Sequence, residues 1–191
     1  MLDIQELCFS YENKAVISNF SLQVGRGEIL AVMGESGCGK TTLLRLIAGL
    51  EKPQLGSVGC HADRIAYVFQ EPRLFPWLTV TENLRAVMTD RKDTDSAIRE
   101  ALATVELTEK ADSYPDELSG GMKIRVSLAR ALVSGGDLFL LDEPFSALNE
   151  ELREVLAKKL KEIFKVRGIT AILVTHQLSD AENLADRIIK M

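Results

Sequence analysis

The most specific segment of the sequence is Gly34-Glu-Ser-Gly-Cys-Gly-Lys-Thr41. It matches the pattern GxxxxGK[ST] in full, follows the apolar run Ile29–Met33 and precedes a helical pattern. A strand before the pattern and a helix after it are the context that makes it specific for a phosphate-binding loop. Small residues let successive backbone N–H groups converge on phosphate oxygens, and the helix N-terminus adds positive potential. The alternative is an ordinary glycine-rich turn between a strand and a helix.

This loop assigns roles to two polar side chains. Lys40 is expected to reach the β- and γ-phosphates of a nucleotide, and the Thr41 hydroxyl is expected to bind Mg²⁺. We interpret Cys38 as a small residue of the loop rather than a redox group. The residues predicted to contact ATP are Gly34, Glu35, Ser36, Gly37, Cys38, Gly39, Lys40, Thr41 and Thr42.

A second apolar strand, Leu138–Leu141, ends in the adjacent acids Asp142 and Glu143. Parallel sheets bind ligands at the carboxyl ends of their strands. Asp142 is therefore predicted to hold Mg²⁺, directly or through water, which leaves Glu143 free to polarise a water molecule. Two acids after a strand are common in turns, but their combination with the upstream loop is specific.

Ser119-Gly120-Gly121 stands at the start of another helical segment. Ser119 could simply cap that helix, as serine often does. Two glycines at a helix start can also form a second anion site. One chain would then carry two half-sites, which suggests a dimer in which each chain completes the nucleotide site of the other.

The order of apolar patterns predicts an α/β fold. Strands are expected at Leu2–Phe9 and Phe20–Val24, at Glu28–Met33 and Asp137–Leu141, which contain the two apolar runs above, and at residues 65–69 and 169–174. Helical periodicity dominates residues 78–134, which we interpret as a helical lobe inserted into the domain. The whole chain, 1–191, is predicted to form one P-loop NTPase domain with a mainly parallel sheet and a small N-terminal antiparallel β part.

Composition excludes several classes of protein. The 191 residues carry 23 Lys+Arg and 28 Asp+Glu, a net charge of −5, which argues against a nucleic-acid partner. No apolar run approaches the ~18 residues of a membrane span, and the N-terminus lacks the pattern of a signal peptide. Cys8, Cys38 and Cys60 are scattered and indicate neither a disulfide framework nor a zinc site.

From Tyr11 to His176 the sequence resembles the ATP-binding cassette (ABC) ATPases, with the motifs in the family's order. The resemblance implies that Tyr11 stacks on adenine and that Gln70 senses Mg²⁺ and contacts a transmembrane partner. It also implies that Glu143 is the catalytic glutamate and His176 the switch histidine, acting with Lys40 and Gln70. Leu118–Met122 matches the signature motif, whose Ser119, Gly120 and Gly121 contact ATP bound to the other protomer.

The implied protein is an ATP-hydrolysing transport subunit of an importer, bound peripherally at the cytoplasmic side of the membrane. Its implied partners are ATP with Mg²⁺, a second ATPase subunit, transmembrane permease subunits and a solute-binding protein. The segment Phe69–Leu84 is similar to the nitrate, sulfonate and taurine import branch. Its Phe75 and Trp77 are interpreted either as core residues or as a surface for the membrane subunit.

Three residues depart from the family pattern: Asn149 in the segment Ser146–Asn149, called the D-loop, and Met122 and Ile124 in and after the signature. Each puts the rate of turnover in question without touching the predicted catalytic groups. Other readings are a non-transport ABC protein, a nucleotide-gated binding module with little catalysis, and a P-loop kinase. The last does not account for the signature motif.

Overall fold

Two β-sheets build the framework of the protein in a computed structural model that describes residues 1–12, 14–89 and 93–191. The smaller sheet is antiparallel, with strand order β2-β1-β4. The larger sheet is parallel throughout, with strand order β5-β6-β7-β3-β8. The strands are β1 Leu2–Tyr11, β2 Lys14–Val24, β3 Ile29–Met33, β4 Leu55–Cys60, β5 Ile65–Val68, β6 Leu138–Asp142, β7 Thr170–Thr175 and β8 Arg187–Lys190.

Within the described residues, six α-helices and two short 3₁₀ helices connect and cover these strands. The α-helices are α1 Lys40–Ile47, α2 Val80–Arg85, α3 Thr94–Thr104, α4 Gly120–Val133, α5 Glu150–Arg167 and α6 Leu178–Leu184. Thr79 and Glu82 form a capping box at the start of α2, as their spacing of three residues predicts, and Ser119 caps α4. Strands that alternate with helices produce the parallel sheet, so the predicted α/β fold is confirmed.

The three central strands are buried on both faces. Leu30, Val32 and their counterparts in β6 and β7 pack with α1 and the antiparallel sheet. Ile29, Ala31 and the alternate residues of β6 and β7 pack with α2 to α6 on the other side. Two-sided burial explains why these strands read as continuous apolar runs rather than as alternating patterns.

Strand register places the functional segments side by side. Met33 of β3 pairs with Thr175 of β7, and Asp142 of β6 pairs with Val174 of β7. The strands β3, β7 and β6 are neighbours in the sheet and run in the same direction. The segments that follow them therefore all leave the same edge of the sheet, where parallel sheets bind their ligands.

Residues 78–134 contain α2, α3, α4 and both 3₁₀ helices, inserted between β5 and β6. Their apolar residues share one core with the sheet, since Leu102 and Val126 pack in the same cluster as Phe139 and Leu141. The division of the chain into a core and a helical subdomain stays a prediction.

The sequence patterns were wrong at several element boundaries. The strand β4 was not expected, because Leu55-Gly-Ser-Val-Gly-Cys60 has little β propensity and forms by pairing with β1. The strand β2 begins at Lys14 rather than at Phe20. The helical spacing of Leu152, Val155 and Leu156 predicts one apolar stripe on α5, but Val155 is 37% exposed.

The pattern Ser179-x-x-Glu182 predicts that Ser179 caps the last helix, but α6 begins at Leu178 after Gln177. The Thr175 hydroxyl accepts a hydrogen bond from Gln177 N at 3.1 Å, so the chain turns into the helix before Ser179 is reached. None of the helices in the described part of the chain is long and apolar enough to cross a membrane.

Candidate functional site

The predicted phosphate-binding loop, residues 34–41, follows β3 and leads into α1, which is the strand-to-helix context that its pattern requires. Gly39 caps α1 with a φ of 110°, and a Cβ there would lie 3.0 Å from the backbone oxygen of Val16. Glycine is therefore required at Gly39 both by the backbone conformation and by the approach of β2. The first turn of α1 contains no acidic residue, so its free N–H groups keep their positive potential for a bound anion.

Lys40 lies across the base of this loop. Its side chain is largely buried, and Nζ donates hydrogen bonds to Gly34 O at 2.8 Å and Glu35 O at 2.9 Å. These contacts hold the ammonium group inside the curve of the loop. A phosphate on the loop amides would therefore meet a fixed positive charge.

Thr41 and Asp142 place two oxygen ligands together. Thr41 Oγ1 donates to Asp142 Oδ1 at 3.0 Å, and Asp142 is only 2% exposed. Burial raises the pKa of Asp142 above its usual range, and the hydrogen bond from Thr41 opposes that shift. A buried carboxylate of this kind is stabilised by a nearby cation.

Glu143 and His176 form a polar pair above the ends of β6 and β7. His176 Nδ1 lies 2.9 Å from Glu143 Oε1, and Thr175 Oγ1 lies 3.3 Å from Glu143 Oε2. Gln177 Nε2 lies 3.3 Å from His176 Nε2. An imidazole with its proton on Nδ1 satisfies both contacts, because Nδ1 then donates to the carboxylate and Nε2 accepts from the amide.

The backbone of Glu143 is strained. Its φ is 48°, in the left-handed region, and Glu143 N donates to Val174 O at 3.0 Å. Such a conformation costs a non-glycine residue about 1–3 kcal/mol and persists only where the surroundings enforce it. The mostly buried Glu143 lines the same cleft as residues 36–41.

A cleft of about 870 Å³ brings most of the predicted site residues together. Gly34 and Glu35 instead hold Lys40 through their carbonyl groups. The predicted residues that line the cleft are Tyr11, Ser36, Gly37, Cys38, Gly39, Lys40, Thr41, Thr42, Gln70, Asp142, Glu143 and His176.

Tyr11 and Gln70 both line the cleft. Tyr11 ends β1, is partly exposed and packs edge-on against Phe9 with the ring centroids 4.9 Å apart. Gln70 follows β5 and also lines a second cleft of about 550 Å³ that reaches Gly120. Both positions fit the predicted roles without testing them.

Ser119, Gly120 and Gly121 do not line the 870 Å³ cleft. Ser119 Oγ accepts from Met122 N at 3.3 Å, which is the capping role considered above. A Cβ on Gly120 would meet no atom within 4 Å, whereas one on Gly121 would lie 2.8 Å from Ala147 O. Gly120 thus faces open space, and Gly121 is required for packing within the chain.

Two polar residues near Glu143 were missed by sequence reasoning. Thr175 is fully buried at the end of β7, and Asp180 is 2% exposed on α6. Thr175 precedes His176, which could have drawn attention to it. An Asp in the first turn of a helix is common, so nothing in the pattern distinguished Asp180.

The large aromatic residues after Gln70 lie at the surface. Trp77 is 70% exposed and Phe75 is 37% exposed, with their ring centroids 5.8 Å apart. The buried Asn83 fixes this loop, because its side chain binds Phe75 N and the backbone oxygens of Phe75, Leu78 and Thr79. Trp77 is therefore not a core residue, and its contact with a membrane subunit stays a prediction.

Comparison with known proteins reveals extensive similarity. The family described as ABC transporter matches residues 17–146. The aliphatic sulfonates import ATP-binding protein SsuB of Rhodopseudomonas palustris strain BisA53 is 42% identical over 195 residues, covering 98% of this chain and 69% of that protein. The spermidine/putrescine import ATP-binding protein PotA of Lawsonia intracellularis is 38% identical over 205 residues, covering 100% of this chain and 56% of that protein.

Solved structures agree with these relatives. The dimeric structure of MJ0796, a bacterial ABC transporter cassette, matches with a TM-score of 0.91 and 29% identity, covering 100% of this chain and 94% of that one. A dimeric post-hydrolysis state of the same cassette, bound to ADP and Pi, matches with a TM-score of 0.90 and 29% identity over the same shares.

Proposed function

Because this chain belongs to the ABC transporter family and is an ATP-hydrolysing subunit of an import system, we propose that its 870 Å³ cleft binds and cleaves ATP. The expected similarity to the sulfonate import branch is confirmed by relatives such as SsuB. The observation that carries the assignment of the site is the convergence of Lys40, Asp142, Glu143 and His176 on one edge of the sheet.

ATP lies with its phosphates on the loop 34–41 and its adenine beside Tyr11. The loop amides and the α1 N-terminus donate to phosphate oxygens, and Lys40 bridges the β- and γ-phosphates. The side chains of Ser36, Thr41 and Thr42 add hydroxyl groups around the phosphates. Tyr11 offers a partly exposed ring for stacking.

Thr41, Asp142 and Gln70 fit a magnesium site. All three present the hard oxygen ligands that Mg²⁺ prefers, and the hydroxyl and the carboxylate already lie 3.0 Å apart. Burial raises the pKa of Asp142, and a cation beside it would compensate for that burial. When bound with ATP, Mg²⁺ neutralises charge on the β- and γ-phosphate oxygens.

Glu143 orients the attacking water. Its Oε1 is held by His176 and its Oε2 by Thr175, which fixes the carboxylate beside the γ-phosphate position. The water passes a proton to Glu143 as its oxygen bonds to the γ-phosphorus and the bond from that phosphorus to the β-phosphate oxygen breaks. The products are ADP and phosphate, and Glu143 then releases the proton to solvent. Lys40 and the loop amides stabilise the charge that develops on the phosphoryl oxygens.

Two copies of the chain bind ATP between them, head to tail. Gly120 is open in the monomer and stands at the start of α4, where backbone N–H groups are free. In the dimer, Ser119, Gly120 and Gly121 of one copy face the γ-phosphate held by Lys40 of the other. A symmetric pair of this kind gives two equivalent sites.

Phe75 and Trp77 form the surface for the membrane subunit. Two exposed aromatic side chains on a loop held rigid by Asn83 are a typical anchor for a partner helix. The loop follows Gln70, which lines the cleft, so a movement at the phosphates reaches the same surface. The chain then works at the cytoplasmic side of the membrane, bound to permease subunits that receive an organic sulfonate from a solute-binding protein.

The experiment that tests this function compares wild type with Glu143→Gln in Mg²⁺ and ATP. Glutamine keeps the size of the side chain but cannot act as a base, so hydrolysis should fall about 10²–10⁴-fold while ATP binding survives. Size-exclusion chromatography should then show a stable ATP-dependent dimer for the variant and a transient one for wild type. Turnover at the wild-type rate would mean that another group positions the water.

A further inference from the structure

A chain of buried polar groups runs behind Glu143, away from the cleft. Thr175 Oγ1 lies 3.3 Å from Glu143 Oε2 and also 3.3 Å from Asp180 Oδ2. Thr175 and Asp180 are almost completely buried. Both distances exceed the ~2.7–2.8 Å typical of a hydroxyl donor, so the single hydroxyl proton is shared between two carboxylates rather than committed to one.

Arg153 of α5 lies at the end of this series of polar groups, beside Asp180. Its Nε lies 3.5 Å from Asp180 Oδ1, and its Nη2 donates to Leu148 O at 3.3 Å. Arg153 is well shielded from solvent, so its charge is only weakly screened. The same guanidinium thus touches the D-loop, 146–149, and the carboxylate behind Thr175.

Two buried acids that share one hydroxyl are costly to maintain. A buried carboxylate without hydrogen bonds loses its hydration, and apolar side chains of similar size would often be as stable or more stable. An arrangement of this cost is expected to persist where it orients a group that must be placed accurately. The group at the near end of the chain is Glu143.

We propose that Asp180 is a positioning residue for hydrolysis: held by Arg153, it fixes the Thr175 hydroxyl, and that hydroxyl fixes Glu143 Oε2. This inference rests on the function proposed above for Glu143. With Oε2 held from behind, Oε1 keeps its contact with His176 and the carboxylate cannot rotate away from the water. Because Arg153 also donates to Leu148 O, a shift of the D-loop would move Arg153 and, through Asp180 and Thr175, the carboxylate of Glu143.

The first test is the matched pair Thr175→Val and Thr175→Ser, assayed with Mg²⁺ and ATP. Valine keeps the shape but removes the hydroxyl, whereas serine restores it. We expect valine to lower kcat about 10- to 100-fold, the cost of misplacing a reacting group by up to ~1 Å, with the affinity for ATP changed less than about twofold. Serine should recover most of kcat. Wild-type kcat in Thr175→Val would overturn the proposal.

The second test links Asp180 to the same hydroxyl. Asp180→Ala should lower kcat to a similar extent, and the double variant with Thr175→Val should be no slower than the slower single variant. Arg153→Met disturbs Asp180 from the other side and should show the same non-additivity if Asp180→Ala proves too unstable to assay. The two double variants combine Thr175→Val with Asp180→Ala or with Arg153→Met. If the losses of kcat multiply in both of them, Thr175 and Asp180 act separately, which would contradict the proposal.

A control residue just after α6 separates positioning from stability. Asp186 follows the same helix, but it binds Lys165 at 2.6 Å and Ile29 N at 2.9 Å, at the opposite edge of the sheet. Asp186→Ala should lower the melting temperature without lowering kcat; an equal loss of kcat would overturn the proposal. Glu143→Gln tests the proposed function separately from the positioning. Normal turnover in Glu143→Gln would refute the role of Glu143 in hydrolysis. Normal turnover in Thr175→Val alone would refute only the positioning of Glu143.

Discussion

Thr41 Oγ1 donates a hydrogen bond to Asp142 Oδ1 at 3.0 Å, joining two residues 101 positions apart in the chain. The contact forms because α1 and the end of β6 meet at one edge of the parallel sheet. It places an uncharged hydroxyl against a buried carboxylate whose pKa is raised by burial. The two oxygens of the pair can therefore bind a cation, and the effect of the buried Asp142 on stability can be measured in metal-free buffer.

Asp142→Asn should stabilise the protein in metal-free buffer at neutral and higher pH. Burial raises the pKa of Asp142 in the folded state above its unfolded value. Stability from this group is therefore present at low pH, where the carboxyl is protonated, and is lost as pH rises through the folded-state pKa. The melting temperature of the variant minus that of wild type should grow through that range and then level off.

The control for Asp142→Asn is Glu154→Gln on the exposed face of α5, whose difference from wild type should be small. Adding Mg²⁺ and ATP should reverse the order, because wild type gains more from the cation than the variant does. A difference in melting temperature that does not change with pH would contradict the assignment of the shift to Asp142.

Lys40→Ala should weaken ATP binding by at least roughly 10-fold, because a charge-assisted hydrogen bond is worth about 1.5–3 kcal/mol. Titration with ATP by calorimetry measures the loss. Lys14→Ala is the matched control, since Lys14 lines the same cleft from β2 outside the loop. Unchanged affinity in Lys40→Ala would refute the phosphate-binding loop as the ATP site.

Gly120→Ala and Gly121→Ala should separate dimer formation from folding. A Cβ on Gly120 meets nothing within the chain, so the monomer should melt at the wild-type temperature. The same Cβ stands where a phosphate of the second copy would approach, so the ATP-dependent dimer of the Glu143→Gln variant should be lost. Chromatography with and without ATP makes the comparison.

Gly121→Ala should act on the monomer instead. Its Cβ would lie 2.8 Å from Ala147 O, which forces the D-loop to move and should cost about 1–3 kcal/mol of stability. A stable dimer of Gly120→Ala together with Glu143→Gln would mean that the two chains do not meet at this helix start.

Trp77→Ala should leave the ATPase activity and the melting temperature of the isolated chain nearly unchanged. Its side chain is 70% exposed, so little packing is lost. Assembly with the membrane subunit should weaken by roughly 10-fold or more, as expected for an aromatic anchor of an interface. Co-purification with the permease measures it, and Val166→Ala, at an exposed apolar position on α5, is the control. Equal recovery of both variants would refute the docking surface.

The local patterns of the sequence were sufficient for the α/β fold and for the principal groups of the site. Gly34–Thr41 and Leu138–Glu143 are contiguous motifs, and the geometry of a strand and a following turn is set by neighbouring residues. The apolar runs of β3, β6 and β7 predict a sheet buried on both faces, because burial on both sides removes the alternation of apolar and polar residues.

The long-range contacts could not be predicted in this way. The residues of β4, two of which are glycines, have little β propensity. The strand forms because the backbone of β1 pairs with it. The exposure of Trp77 depends on Asn83, whose four hydrogen bonds hold a loop that sequence patterns leave open. Asp180 looks like an ordinary acid in the first turn of a helix, and its contact with Thr175 arises only when α6 packs against the sheet and α5 brings Arg153 beside it.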